Sequence, residues 1–256
     1  MPALSRHVSR WLPLSGPVFL ILIWHIAVTS KWVSAILLPP PADTLSYMFH
    51  HLANGGLLID LVATLMRTLQ AFVVAALLGV PLGVFLGSAA PLYRACEFLI
   101  DFFRSTPASA LIPLFMLIFG ISDMNKVAIA SFAAFLVILF TSAYGVMQAR
   151  KTRLMAAQVM GAGRYRIFRD VLLLESLPQI MVGLRSGISS ALVIVIVAEM
   201  FIGSETGLGH RIIDAQQVLN IKNMYASILL TGIFGYGLNM LFLGLEKKFI
   251  HWSGRA

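Results

Sequence analysis

The chain has 256 residues, of which 59% are hydrophobic and 12% are charged, and its formal net charge is +8. A soluble domain of this size carries about a quarter charged residues, so this composition leaves too little polar side chain to cover a water-facing surface. The basic residues lie between apolar runs and not on one continuous face, which argues against nucleic acid as a partner. The single cysteine, Cys96, excludes an internal disulfide.

The sequence contains no cofactor motif. No cysteine or histidine pair has the spacing of a metal site, and no G-x-x-x-x-G-K-[ST] segment is present. We therefore expect that this chain binds no metal and builds no nucleotide-binding P-loop. If the protein uses ATP and Mg²⁺, another subunit must bind them.

Six stretches are long and apolar enough to cross a membrane, which takes roughly 20 residues of helix for a core of about 30 Å. Five contain no Asp, Glu, Lys or Arg, and one is interrupted only by Arg185. The stretches are 11–30, 68–93, 105–122, 127–149, 176–198 and 223–245. Because backbone in lipid must satisfy its own hydrogen bonds, we predict an all-α integral membrane protein of about six transmembrane helices. We expect one domain over 1–256, with core helices in 59–249.

The first stretch follows Arg6 and Arg10, as in a signal peptide, but no A-x-A cleavage site comes after it. We expect a retained anchor helix. Three prolines then end the helix, and Asp43 or Thr44 can cap a new one. The sequence therefore predicts a short amphipathic helix over 43–53 on the outer surface, and we group 1–58 as anchor and outer segment.

The basic residues predict the orientation. With six spans and both termini cytoplasmic, twelve basic residues fall inside and four outside, while Arg67, Arg104 and Arg185 lie at or within spans. The inner twelve are Arg6, Arg10, Arg94, Arg150, Lys151, Arg153, Arg164, Arg166, Arg169, Lys247, Lys248 and Arg255. Trp252 after the last span reads as an interfacial anchor. We expect a multi-pass protein of the cell (inner) membrane.

The second stretch carries Gly79, Gly83 and Gly87 at four-residue spacing, which forms a ridge without side chains on one helix face. Such ridges let helix backbones approach closely in membranes. The alternative is that these glycines reflect only the high frequency of glycine in membrane helices.

Residues 150–175 are too charged to span a membrane. The pattern predicts a helix over 155–160, a break at 161–163 and a second helix from Arg164, in which Phe168 lies on the apolar face. A helical hairpin of this kind either docks into a groove of another protein or forms a basic surface that binds anionic lipid headgroups.

This hairpin resembles the EAA loop of ABC importer permeases, whose pattern is roughly E-A-A-x3-G-x9-I-x-L-P. The spacing is followed by Ala156, Ala157, Gly161, Val171 and Leu173, while Met155 stands in place of the usual Glu and Leu174 in place of the usual Pro. The resemblance implies a cytoplasmic loop that couples the permease to an ATPase. The coupling residues it implies are Ala156, Ala157, Gly161, Ala162, Arg164 and Phe168.

Seven further segments resemble, in the same order, the permeases of nitrate, sulfonate and taurine importers. They are 38–42, 104–107, 110–114, 119–121, 183–185, 198–200 and 207–209. The resemblance implies a type I ABC importer permease-like fold and a subunit that acts in transport, not as an enzyme. It further implies a homodimer of permeases in membrane lipid, two P-loop ATPase subunits that use ATP and Mg²⁺, and a periplasmic or lipid-anchored solute-binding protein. The implied cargo is a small anion.

Candidate residues for the translocation path or its gate are ionisable, hydroxyl or glycine positions near spans, since charges inside a membrane are costly. They are Arg104, Arg185, Ser189, Glu199, Gly207 and Gly209. Arg185 either attracts an anion or pairs with an acid on a neighbouring helix or snorkels. Glu199 either faces the path or holds the following loop by a hydrogen bond.

The remaining candidates also have two interpretations. Ser189 either lines the path or bonds its own helix backbone, and Arg104 is three residues from Asp101, so the two form an intrahelical pair or face the path. Residues 202–222, with a short helix predicted over 211–219, form an outer gate, a docking surface or an ordinary connection.

Two other function classes compete. A stand-alone secondary transporter would show inverted repeats and more spans. A membrane-embedded enzyme would need nucleophiles, acids or metal ligands that converge, whereas the eleven acidic residues lie mostly at separate helix ends.

Overall fold

The computed structural model describes residues 6–34 and 36–250. Within these residues every regular element is a helix, which confirms the predicted all-α fold. Trp252 and Arg255, interpreted from the sequence as an interfacial anchor and an inner-side charge, lie outside the described residues.

The helices are named in chain order. They are α1 (Arg6–Thr29), α2 (Pro41–Ala53), α3 (Gly56–Ser88), α4 (Ala90–Ser105), α5 (Ile112–Phe119), α6 (Asp123–Met147), α7 (Lys151–Val159), α8 (Arg164–Ile167), α9 (Leu173–Phe201), α10 (Leu208–Gln217) and α11 (Ile221–Phe249). A 3₁₀ turn over Ala108–Leu111 precedes α5, and a π-helical segment over Phe168–Leu172 joins α8 to α9.

Four helices among the described residues are long and apolar enough to cross a membrane, and they are Gly56–Ser88, Asp123–Met147, Arg164–Phe201 and Ile221–Lys248. A bent pair of shorter helices counts as a fifth span if both pieces are taken together, and Ser15–Thr29 is a shorter apolar helix. The predicted number of about six spans therefore agrees only roughly.

The second predicted span has wrong limits, whereas the third, for which Pro107 and Pro113 predict a bent helix that begins near Cys96, is bent in the structure. The stretch 68–93 was bounded by charge, but α3 begins twelve residues earlier and includes Arg67, whose charge is paired inside the protein. The stretch 105–122 is broken, because Ala90–Ser105 and Ala108–Phe119 meet at 88°. Thr106, which precedes Pro107, is extended (φ −83°, ψ 122°), as the ring of a following proline requires.

The second arm of the hairpin and the fifth span form one continuous helix. The sequence predicts a helix from Arg164 and a separate span over 176–198, whereas the structure has a single helical stretch of 38 residues, Arg164–Phe201. We call this stretch the rod. At 1.5 Å per residue its length along the axis is about 57 Å, well beyond the roughly 30 Å of a bilayer core.

The described chain forms two compact units. One contains the residues up to Leu58 together with Arg211–Leu230, and the other contains Ile59–His210 and the segment from Thr231 onward. In the first unit, α2 confirms the helix predicted over 43–53, and Asn54 caps its C-terminus. Lys222 pairs with Asp43 at 3.0 Å and so ties the start of α11 to this helix.

The core of the second unit is the packing of α6 against α9 and of α3 against α6. A Cβ atom on Gly79 would lie 3.0 Å from Ile138, one on Gly83 would lie 2.7 Å from Ser142, and one on Gly87 would lie 2.5 Å from the carbonyl oxygen of Ala143. The predicted glycine ridge of α3 therefore lies directly on α6. The core cluster there is built mainly from small residues and consists of Ala71, Ala75, Ala130, Ala134, Ile138, Ala191 and Val195.

Candidate functional site

The tip of the hairpin is a helix C-cap that requires glycine. The amide of Gly161 donates to the carbonyl of Gln158 at 2.9 Å, and the amide of Ala162 donates to that of Ala157 at 3.0 Å. This is the Schellman pattern, in which the residue after the cap takes a left-handed conformation. Gly161 has φ +80°, and a side chain there would meet nothing within 4 Å. Glycine is therefore needed for its backbone and not for lack of space.

The hairpin presents apolar side chains that nothing in the described chain covers. Every residue of α7 and α8 is exposed or half-buried. Val159 and Met160 at the tip are 89% and 86% exposed, and Met155 and Tyr165 are also mostly exposed. A group of exposed apolar residues on a charged segment is typical of a protein-interaction surface.

The predicted coupling residues divide into two sets. Ala156, Gly161 and Arg164 are exposed, and Ala157 and Ala162 are half-buried. Phe168 instead faces inward and packs against a buried cluster of Val84, Val146 and Ile180. It therefore anchors the base of the hairpin on the spans, while the tip residues face outward.

The base of the hairpin is held by charges. Arg153 of α7 forms an ion pair with Glu175 of the rod. Between α7, the rod and the end of α6 lies a cavity of about 940 Å³, and Arg150, Asp170 and Gln179 are among its lining residues. The hairpin is thus fixed at its base and free at its tip.

At the other end of the rod, the N-terminus of α10 is capped by side chains from other helices. The first amides of a helix have no partner within it. Here the amide of Gly207 donates to Asp60, that of Leu208 donates to the hydroxyl of Thr64, and that of Gly209 donates to Glu199, each at 2.9 Å. Acidic caps also complement the positive end of the helix dipole.

Glu199 is fully buried and accepts hydrogen bonds from two helices, α3 and α10. Besides the Gly209 amide, it accepts from Nη1 of Arg67 at 2.7 Å and from the Thr64 hydroxyl, which lies 2.9 Å from Oε2. The sequence left open whether Glu199 faces a path or holds the following loop, and the structure shows it bonded to that loop. A buried carboxylate needs partners of this kind because isolated buried charge is very costly.

Arg67 connects the remaining groups. Its Nη1 also donates to the carbonyl of Thr206 at 2.8 Å, and its Nη2 pairs with Asp123 at 2.9 Å. Asp123 in turn pairs with Lys126 at 3.0 Å, and Lys126 donates to Ser204 at 3.1 Å. We call the six side chains that hold the segment 202–210 the outer-loop cluster. Its members are Asp60, Thr64, Arg67, Asp123, Lys126 and Glu199.

Gly207 and Gly209 fit against this cluster. Gly207 has φ +130°, and a side chain on it would lie 2.6 Å from Oε1 of Glu199. A side chain on Gly209 would lie 2.8 Å from Cβ of Glu199. Both positions therefore require glycine, the first for its conformation and both for the close approach of the carboxylate.

The other path candidates lie outside the cluster. Arg185 pairs with Glu246 of α11 at 3.5 Å, and Ser189 donates to the carbonyl of Arg185 at 3.2 Å. Arg104 pairs with Asp101 at 3.3 Å and lies 3.7 Å from the centre of the Phe140 ring. These contacts correspond to the structural alternatives that the sequence allowed for each residue.

Sequence reasoning missed most of the cluster. Asp60, Thr64 and Arg67 lie at positions i, i+4 and i+7 and so share one face of α3. This spacing is visible in the sequence, but Arg67 was treated as a charge at the end of a span and not as part of a polar face. Asp123 and Lys126 gave no signal of their partners.

Comparison with known proteins identifies the family. Residues 79–250 match the protein family described as "Binding-protein-dependent transport system inner membrane component". The chain belongs to this family. It is a transport permease of ABC importers and not an enzyme, and the family implies partner ATPase subunits, which use ATP, and a solute-binding protein.

Relatives match this permease over most of its length. A "Probable ABC transporter permease protein" of Brucella abortus (strain 2308) is 33% identical over 91% of this chain and 92% of its own. The taurine transport system permease protein TauC of Escherichia coli K12 is 28% identical over 99% of this chain and 93% of its own. The nitrate import permease protein NrtB of Synechocystis is 25% identical over 92% of this chain and 87% of its own.

A solved structure has the same fold. It is the MetNI methionine ABC transporter in an inward-facing conformation, with a TM-score of 0.66 and 22% identity over 75% of this permease and 95% of that chain. The expected type of permease fold is thereby confirmed.

Proposed function

We propose that this permease imports a small anionic solute, such as taurine, an aliphatic sulfonate or nitrate, as a homodimer in the cell membrane. Two ATPase subunits grip the hairpin from the cytoplasm, and a solute-binding protein delivers cargo on the other side. The observation that carries this proposal is the hairpin itself, whose apolar tip is exposed and whose second arm continues into a membrane-spanning rod.

The exposed tip supports a protein partner over lipid headgroups. The hairpin carries basic side chains, which would suit anionic lipid. However, Val159 and Met160 are the most exposed apolar residues of this segment, and Gly161 directs the chain around them. Apolar side chains at the tip of a helical hairpin fit a groove on another protein.

The rod supports alternating access driven from the hairpin. Because Arg164–Phe201 is helical throughout, including the π-helical segment and Pro178, a displacement of the hairpin is transmitted to the span along one helix. Stiff helices that connect two packed arrangements are the usual basis of such switches. Met155 replaces the usual glutamate of the coupling motif and is mostly exposed, so the ATPase would meet an apolar side chain at this position of α7.

The anion assignment is supported by the relatives for taurine and nitrate. Three arginines lie in or beside spans, and each has an acidic partner in the chain, as Arg185 has in Glu246. A cargo anion would therefore meet paired cations, and we assign selectivity largely to the binding protein. Titrating the cognate binding protein with taurine, methanesulfonate and nitrate tests this assignment, and tight binding of a neutral or cationic solute alone would overturn it.

Orientation is tested by cysteine labelling. In a Cys96→Ser background, a single cysteine at Val159 is expected to react with a membrane-impermeant maleimide only after the cytoplasmic face is exposed. A cysteine at Gly55, in the predicted outer segment, is expected to react from the opposite side. Labelling of the Val159 position from outside would place the hairpin beyond the reach of any ATPase.

The ATPase contact is tested by Gly161→Glu. The substitution adds a charge to the tip and strains a left-handed residue by roughly 1–2 kcal/mol. Co-purification with the ATPase is expected to fall at least about tenfold, as for an interface hot spot. The matched control is Gly55→Glu, because Gly55 has φ +82° and an equally open environment. Normal assembly of Gly161→Glu would overturn the docking role of the hairpin.

A further inference from the structure

The outer-loop cluster joins the segment 202–210 to the end of the rod. Glu199 lies two residues before Phe201, the last residue of the rod. It holds the Gly209 amide directly at 2.9 Å. The hairpin is attached to the opposite end of the same helix, so one helix carries both the hairpin and the residue that fixes the outer loop.

Arg67 makes this attachment tight because one guanidinium connects three elements. It donates to Glu199 of the rod and to the carbonyl of Thr206 in the loop, and it pairs with Asp123 at the start of α6. Arg67 is 6% exposed and Glu199 is fully buried. Separating the two would leave a buried charge without its partner, so intermediate positions of the loop are unfavourable.

We propose that Arg67, together with Thr64, is a positioning residue of the transport cycle. It makes the outer loop and the rod move as one body, so the hairpin cannot move while the loop stays in place. The proposal rests on the proposed function in one respect, which is that the ATPases move the hairpin. It assigns a role to residues at the end of the rod opposite the hairpin.

The direction of the effect follows from this coupling. When the loop is fixed to the rod, the ATPases can complete their cycle only if the outer side moves as well. When Arg67 or Thr64 is replaced, a bridge between the loop and the rod is lost and the bond from the Gly209 amide to Glu199 remains, so the rod and hairpin follow the ATPases with less dependence on the loop. ATP hydrolysis then depends less on an event at the outer side, so hydrolysis in the absence of binding protein rises. A residue with only a folding role would leave this rate unchanged or lower it.

The experiment uses the full permease–ATPase complex in lipid nanodiscs, with MgATP and without binding protein. Arg67→Met keeps the length of the side chain and removes its charge and donors. Its basal hydrolysis is expected to rise at least about fivefold, which is the lower range of coupling between sites. Arg67→Lys retains a charge near Glu199 but lacks the fork that reaches three partners, so a smaller rise is expected.

A second pair of variants covers the case in which Arg67→Met fails to assemble. Thr64→Val removes the hydroxyl that donates to Glu199 and accepts from the Leu208 amide. Its control is Thr68→Val, one turn along α3, because Thr68 is equally buried and its hydroxyl bonds only the carbonyl of Thr64 at 2.7 Å. Basal hydrolysis is expected to rise in Thr64→Val and to stay unchanged in Thr68→Val.

Several outcomes would overturn the proposal. One is unchanged or reduced basal hydrolysis in an assembled Arg67→Met or Thr64→Val complex. Another is loss of assembly in Thr64→Val while Thr68→Val assembles, which would assign the cluster to folding alone. A wild-type permease that does not bind the ATPase would contradict the hairpin assignment and not this proposal, so the two failures are distinguishable.

Discussion

The two ends of the rod are built in opposite ways. At the hairpin end, apolar side chains such as Val159 and Met160 are exposed and the backbone caps itself through Gly161. At the other end, Glu199 is fully buried, and among the described residues the loop is held by hydrogen bonds to Asp60, Thr64, Arg67 and Glu199. The difference fits the proposal that the hairpin end binds an ATPase subunit, whereas the segment 202–210 is held by side chains of this permease.

The difference also separates two kinds of sensitivity. Residues of the outer-loop cluster should determine the stability of the fold, because their polar groups are buried and bonded to each other. Residues at the hairpin tip should determine assembly, because the side chains of Val159 and Met160 are largely exposed in the described part of the chain. The following experiments compare the two ends, beginning with the largest expected effect.

The largest loss of stability is expected for Glu199→Ala. The change leaves Arg67 without its closest acid and the Gly209 amide without an acceptor. Breaking a buried pair from one side costs about 3–5 kcal/mol. Thermal unfolding of the purified permease in detergent measures this loss. Glu205→Ala is the control, since it removes an exposed acid of the same loop; an equal loss in both variants would contradict the role of the cluster.

A smaller loss is expected for Gly209→Ala, compared with Gly163→Ala at the hairpin. The new methyl group at Gly209 would overlap Cβ of Glu199, whereas one at Gly163 would meet nothing within 4 Å. Overpacking of this kind costs about 1–3 kcal/mol, and an exposed change away from such contacts costs less than about 0.5 kcal/mol. The same unfolding assay compares them, and similar losses would show that the two ends do not differ in packing.

At the hairpin tip, Val159→Ser is expected to change the free energy of unfolding by less than about 0.5 kcal/mol. Its effect should appear only in the yield of the complex with the ATPase, measured by pull-down. A stability loss comparable to that of Gly209→Ala would show that Val159 is covered within the permease.

The smallest effect on stability is expected for His51, which lies on α2 in the first compact unit. Burial, followed by the charges of Arg211 and His50, lowers the pKa of His51 from its ordinary value of 6.5. As pH falls, the unfolded chain therefore takes up the proton before the folded chain does. The contribution of His51 to the free energy of unfolding is present above pH 6.5 and is lost as pH falls toward the lowered pKa of the folded state. Between pH 7.5 and 5.5, the melting temperature of His51→Gln should fall slightly less than that of the wild type. His25→Gln is the control, and an identical slope in wild type and His51→Gln would contradict the contribution.

The sequence predicted elements whose pattern is local. The hairpin, its break at Gly161 and the helix of α2 were readable because helix periodicity and glycine act within a few residues of the chain. The glycine spacing of α3 was equally local, although its partner α6 was not specified by it. Local patterns therefore gave the hairpin end of the rod almost completely.

The outer-loop cluster could not be predicted in the same way. Glu199, Gly207 and Gly209 stood out individually, but Arg67 lies 132 positions before Glu199 and its role depends on how α3 packs beside the rod. The wrong start of the predicted span 68–93 has the same cause. Arg67 is incompatible with a membrane span unless acidic partners pair with it, and the sequence does not show that Glu199 and Asp123 are these partners. Contacts between distant residues decide both points.

The π-helical segment Phe168–Leu172 lies between the hairpin and the span of the rod, so it sets the direction in which the hairpin points relative to the span. Short π-helical turns accommodate an extra residue within a helix. Each residue turns a helix by about 100°, so removal of one residue there would rotate α7 and α8 around the axis of the rod by about that angle. The part embedded in lipid would keep its neighbours. A single inserted or deleted residue in this segment would thus point the hairpin in a different direction, toward a different partner protein, while the packing of the span stays the same.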